Sequence, residues 1–118
     1  LIKKILNFYW NFNFMMSELL ILITTVPNKS LAEKIGNNLV ENNLAACVSF
    51  KEINSIYKWK GKLQEEKEFE ITIKSTSAKL NGLLKSLKDI SSYEVPQLIY
   101  KEFDSEISYL KWINESLN

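Results

Sequence analysis

The sequence predicts a single α+β domain, and three observations carry that prediction. Short runs rich in β-branched and aromatic residues alternate between apolar and polar positions. Between them lie stretches whose apolar residues recur at spacings of three and four. The 118 residues, 46% hydrophobic and 25% charged, have the make-up of an ordinary globular protein with one core.

The regular pattern begins after Met16. Leu19-Leu20-Ile21-Leu22-Ile23-Thr24-Thr25 is a continuous apolar run closed by Pro27 and Asn28, which suits a central strand covered on both faces. Ser30 with Glu33 then reads as a capping box, opening a helix that carries Leu31, Ile35, Leu39 and Val40 and runs through Asn43. Leu44 to Phe50 is a second apolar strand. From Ile53 onward, Ile53, Ser55, Tyr57, Trp59, Gly61 and Leu63 fall on one strand face and Lys58, Lys60 and Lys62 on the other, a lysine face expected to be solvated. Phe69, Ile71 and Ile73 alternate with Glu68, Glu70, Thr72 and Lys74, so a third strand pairs back as a hairpin whose acids meet the lysines.

Ser77 is placed as the N-cap of a second helix with Leu80, Leu83, Leu84, Leu87 and Ile90 on one face. Val95 to Phe103 is the last strand, and Pro96 puts its start at an edge or bulge. Ser105 starts a third helix with Ile107, Leu110, Ile113 and Leu117 inward. The order β-α-β-β-α-β-α is the ferredoxin-like split βαβ sandwich with an added strand segment and a C-terminal helix.

Leu1 to Met16 has a different character: Lys3 and Lys4 precede a run of aromatic and apolar residues. Asn7, Asn11 and Asn13 interrupt that run, no small-residue cleavage site follows, and the segment is too short to span a bilayer. It is read as an N-terminal extension, from a mis-called or non-standard start, to a domain of residues 17–118. Peripheral membrane contact is the alternative.

Composition closes several function classes. The net charge is +1 and every basic residue is a lysine, so no guanidinium grips phosphates or base edges, and nucleic acid is not an expected partner. The chain has no histidine, which removes the usual base of a Ser or Cys nucleophile. Gly36, Gly61 and Gly82 stand apart from one another, so no glycine-rich loop cradles a phosphate. Glu65, Glu66, Glu68 and Glu70 read as a solvated charged hairpin rather than as paired catalytic acids. Cys47, between Ala46 and Val48, reads as a small buried apolar residue and offers too little for a zinc site. One cysteine forms no intrachain disulfide, so a cytoplasmic home is expected and membrane association is not. The chain is read as a non-enzyme.

Three features ask for more than packing. Tyr57-Lys58-Trp59-Lys60-Gly61 places two large aromatics on one strand face beside a glycine that permits close backbone approach, with core or subunit packing as the plainer account. Lys74 ends a strand and is available for an anion or a salt bridge. Tyr93-Glu94-Val95-Pro96-Gln97 gathers a phenol, a carboxylate and an amide in one rigid turn.

Taken together, Thr25-Val26-Pro27, Leu44-Ala45-Ala46-Cys47-Val48, Ser55 through Lys62, Glu68 through Ser75, Tyr93-Glu94-Val95-Pro96 and Tyr109-Leu110-Lys111-Trp112-Ile113 resemble the CutA family of divalent-cation tolerance proteins. The resemblance covers about residues 19 to 117. It implies a homotrimer, PII-like in architecture, that is cytoplasmic and involved in the response to copper and other divalent cations. It also implies clefts near Tyr57, Trp59, Lys74, Tyr93 and Glu94, the candidate ligand-binding residues. At the positions implied for metal, this chain carries Thr24, Ser91 and Gln97 in place of cysteine, histidine and glutamate. Neutral oxygen and amide groups there favour weak or indirect contact with a divalent cation such as copper, and no other cofactor is implied. The alternative function is a trimeric binding or scaffold module for a small anionic ligand or a partner protein.

Overall fold

Strand β1 (Leu19–Val26) is the apolar run of the sequence, and it lies inside the sheet with a neighbour on each side. The computed structural model describes residues 16–118 and continues with α1 (Lys29–Glu41), β2 (Cys47–Trp59) and β3 (Lys62–Thr76). A 3-10 turn (Ser77–Lys79), α2 (Leu80–Ile90), β4 (Ile99–Phe103) and α3 (Ile107–Ser116) complete it. The extension assigned to Leu1 to Met16 lies, apart from Met16, outside the described residues. Every strand pairing is antiparallel and the sheet order is β2-β3-β1-β4, which is the expected ferredoxin-like arrangement with one further helix.

Directly opposed residues of an antiparallel pair share a face. Leu22 opposes Ile73 and Thr24 opposes Ile71, so one face carries Leu20, Leu22, Thr24 and Val26. That face forms the main core with Ala32, Ile35 and Leu39 of α1 and Leu83 and Leu87 of α2. Leu19 points the other way and packs with Ile113 and Leu117 at the α3 end of the chain, with Ile21 and Leu110 beside them. Both faces of β1 are covered, as its unbroken hydrophobicity requires.

Local signals were less faithful than periodicity. The α1 cap is Asn28, whose Oδ1 accepts from the Leu31 amide at 2.8 Å; Ser30 is already inside the helix and Val40 is exposed. Ser77 does not cap α2: its hydroxyl donates to Glu102 at 2.7 Å, and the Ala78 amide donates to Ser17 Oγ at 3.0 Å. Ser105 lies ahead of α3, whose N-cap Glu106 makes no side-chain capping bond, and Ile107 is exposed rather than inward. The last strand starts at Ile99, four residues after Val95, because Pro96 has no amide for the ladder.

The hairpin carries the largest correction. Lys60 and Gly61 have φ of 52° and 77°, the two left-handed residues of a tight type I′ loop. A Cβ on Gly61 would meet nothing within 4 Å, so the turn dihedral, and not a close backbone approach, calls for glycine. The chain reverses there. Trp59 opposes Lys62, Lys58 opposes Leu63 and Tyr57 opposes Gln64, which puts Lys62 on the face of Trp59 and Leu63 on the face of Lys58. No continuous lysine face forms. Acids and lysines do meet at Lys51–Glu70 (3.8 Å), where Glu70 is half-buried, and at the exposed pair Lys67–Glu52 (3.7 Å), surface contacts worth about 1 kcal/mol or less.

Candidate functional site

Alternation along the hairpin sets Ser55, Tyr57 and Trp59 of β2 and Gln64, Glu66 and Glu68 of β3 on the sheet face away from α1 and α2. Thr25 of β1 shares that face through its opposition to Glu70. The connection from α2 to β4 runs alongside and contributes Ser92, Tyr93, Glu94, Val95 and Gln97. These segments enclose an open groove of about 750 Å³.

Two tyrosine–carboxylate hydrogen bonds organise it. The Tyr57 hydroxyl donates to Glu66 Oε2 at 2.9 Å and the Tyr93 hydroxyl to Glu68 Oε2 at 2.8 Å. Glu68 is only 9% exposed. Among the described residues no lysine forms an ion pair with Glu66 or Glu68; Lys60 stands at the rim, 3.8 Å from Glu94 and 5.8 Å from the Trp59 ring centre.

Burial, then the hydrogen bond to Glu68 and the charge of that carboxylate, push the Tyr93 phenol well above its ordinary value of 10.0. The hydrogen bond to Glu66 raises Tyr57 as well. Both phenols therefore remain protonated donors around neutrality. Because the folded state holds the Tyr93 proton more tightly than the unfolded state, its stabilisation is complete below pH 10.0 and is lost as pH rises past that value. Urea midpoints measured from about pH 9 to about pH 11 should fall more steeply for the unaltered chain than for Tyr93→Phe. Parallel curves would show that the Tyr93–Glu68 bond is absent in solution.

Of the five candidate ligand-binding residues, the fold brings Tyr57, Trp59, Tyr93 and Glu94 to this groove, but not Lys74. Lys74 lies toward the other end of β3, opposite Cys47 and Ile21, with its ammonium 6.0 Å from the Tyr109 ring. A cation–π contact takes the place of the expected salt bridge, because α3 presents an aromatic ring there. Cys47 is partly buried.

Thr24, which is buried, and Ser91 line a separate crevice of about 10 Å³ on the helix side, room for about one water, while Gln97 lines the large groove. Ser91 Oγ accepts from the Tyr93 amide at 3.1 Å. Among the described residues no three His, Cys, Asp or Glu side chains converge as metal ligands. This donor set does not fit a tightly held copper ion, which prefers imidazole and thiolate.

Glu66 and Glu68 are the groove residues that sequence reasoning passed over as solvated charge. Period-two alternation from Phe69 already set them apart from the core side, but their placement beside Tyr57 depends on the Lys60-Gly61 turn and the cross-strand register.

Fold and groove together define a ferredoxin-like α+β domain with an aromatic, acidic groove on the open part of its sheet. Residues 20–116 match the family described as CutA1 divalent ion tolerance protein. The chain is 40% identical over 93 residues to the protein CutA homolog of Xenopus laevis, covering 77% of this chain and 62% of that one. It is 33% identical over 104 residues to the divalent-cation tolerance protein CutA of Pectobacterium atrosepticum, covering 86% and 94%. The structure of CutA from Synechococcus elongatus superposes with a TM-score of 0.82 at 32% identity, covering 86% of this chain and 92% of that one. The chain belongs to the CutA1 divalent ion tolerance family. That family is named for tolerance of divalent cations and not for a reaction. Among the described residues no helix is long and apolar enough to cross a membrane.

Proposed function

We propose that the chain is a homotrimeric, cytoplasmic divalent-cation tolerance protein that serves the response to metal ions, copper among them, by weak or indirect metal contact. Family membership across residues 20–116 carries this reading. Thr24, Ser91 and Gln97 support the weakness of the contact, since neutral hydroxyl and amide groups hold copper poorly. The lone thiol supports the cytoplasm. With no histidine in the chain, the reading includes no catalytic step.

The open edges support self-association. Among the described residues, strands β2 and β4 each pair on one side only, and Ile56 and Leu63 on the hairpin are 67% and 72% exposed. Apolar groups of this kind beside open edges are commonly covered by further copies of the same chain.

Titrating Cu²⁺ into tag-free protein by calorimetry should give a dissociation constant of about 1 mM or weaker, near −4 kcal/mol. Absence of heat at millimolar copper removes the direct part of the reading, and a micromolar site contradicts it.

The groove favours a second reading, a trimeric binding or scaffold module for a small ligand or partner. Its lining carries Glu66, Glu68 and Glu94 and, among the described residues, no lysine, so its charge opposes the anionic ligand expected from sequence. Lys74, which suggested an anion, lies elsewhere.

A further inference from the structure

We infer that residues 91–97 form a strap that opens as a unit while the sheet and helices stay folded, with the Tyr93–Glu68 hydrogen bond as its latch.

The two ends of the strap are fixed. Ile90, which ends α2, and Leu98, which precedes β4, both pack against the main core. Between them the attachment is thin. Among the described residues, no backbone–backbone hydrogen bond ties residues 92–97 to the rest of the chain, and Pro96 has no amide to offer. No residue of the strap is fully buried, and Val95 is 70% exposed. A segment with few buried groups and no ladder bonds belongs to the low end of local stability, whereas β4 beyond it is held by its register with β1.

Two side-chain contacts hold the strap to the hairpin. Lys60 lies 3.8 Å from Glu94, an exposed pair that contributes little. The Tyr93 hydroxyl donates to Glu68 Oε2 at 2.8 Å, and that carboxylate is almost wholly withdrawn from water. A hydrogen bond to a charged acceptor in such surroundings is the stronger of the two. The Tyr93 amide, bonded to Ser91 Oγ, adds only a local contact within the strap.

The strap also closes a space. Ser91, Ser92 and Tyr93 form one wall of the crevice in which buried Thr24 lies. Closed, that crevice has room for about one water. Opening the strap is the route by which any larger group reaches Thr24, and it moves Ser91 and Gln97 at the same time.

The test is native-state proteolysis of the assembled protein with a glutamate-specific protease, following the cut after Glu94 by mass spectrometry. Cleavage inside the strap requires it to open, and its rate tracks the open population when closing is fast. Tyr93→Phe and Glu68→Ala should each raise that rate about tenfold or more, since each removes a hydrogen bond to a charged group. Glu68→Gln, which keeps an acceptor oxygen, should stay closer to the unaltered chain. Cleavage after Glu41, at the end of α1, is the reference and should not change. If Glu68→Ala misfolds, Tyr93→Phe alone decides the matter. The inference is overturned by equal rates at Glu94 in the unaltered chain and Tyr93→Phe, or by a rise of the same factor at Glu41, which means global unfolding. It is equally overturned by no cut at Glu94 in any variant, the result expected if neighbouring copies clamp the strap.

Discussion

Replacing Leu22 with alanine is expected to lower the unfolding free energy by about 3 kcal/mol, within the range for large-to-small changes in a well-packed core. Leu22 has no exposed surface, lies between Ile73 and Tyr100 on the two neighbouring strands, and belongs to the core under α1 and α2. Its strand is held on both sides and covered on both faces, so the surroundings have little freedom to collapse into the space left behind. Leu22→Met, which nearly conserves volume, should cost less than about 1.5 kcal/mol. Urea denaturation of the two variants measures the contrast. Equal effects would mean that β1 is not the packed centre of the fold.

A second large effect is expected at the hairpin. Ile56→Asp combined with Leu63→Lys should break up the proposed trimer while leaving each chain folded. Both residues are mostly exposed in the isolated chain and lie on the hairpin face opposite to Tyr57 and Glu66, with Ile56 also at the edge of the groove. Surface changes of this sort move the stability of a single chain by about 0.5 kcal/mol or less. Buried between subunits, the same charges would be desolvated without designed partners. Sedimentation should show the mass falling to one third with the circular dichroism spectrum unchanged. A variant that remains trimeric would place the interface elsewhere.

The parts of this molecule that were legible in the sequence are those governed by long runs of periodicity. The continuous apolar stretch at Leu19 to Thr25 became the covered strand β1, and Leu80, Leu83, Leu84 and Leu87 gave the apolar face of α2. Features set by one residue or by tertiary contact were not. Three serine or glutamate signals suggested helix caps, yet Asn28 caps α1 and Ser17, from the other end of the domain, satisfies the Ala78 amide. No local pattern announces a partner 61 residues away. At the candidate site, Tyr57, Trp59, Tyr93 and Glu94 were found because aromatic and turn residues stood out, but Glu66 and Glu68 looked like ordinary surface acids. Only the Lys60-Gly61 reversal places them beside Tyr57, and only the return of the chain after α2 brings Tyr93 over Glu68.

This chain is expected to assemble as a family scaffold whose open edges and exposed hairpin are closed by further copies of itself. Sedimentation equilibrium on the unaltered, tag-free protein at micromolar concentration tests that most directly. The expected result is a single species of three times the 13.7 kDa chain mass. A species of 13.7 kDa under those conditions would contradict it.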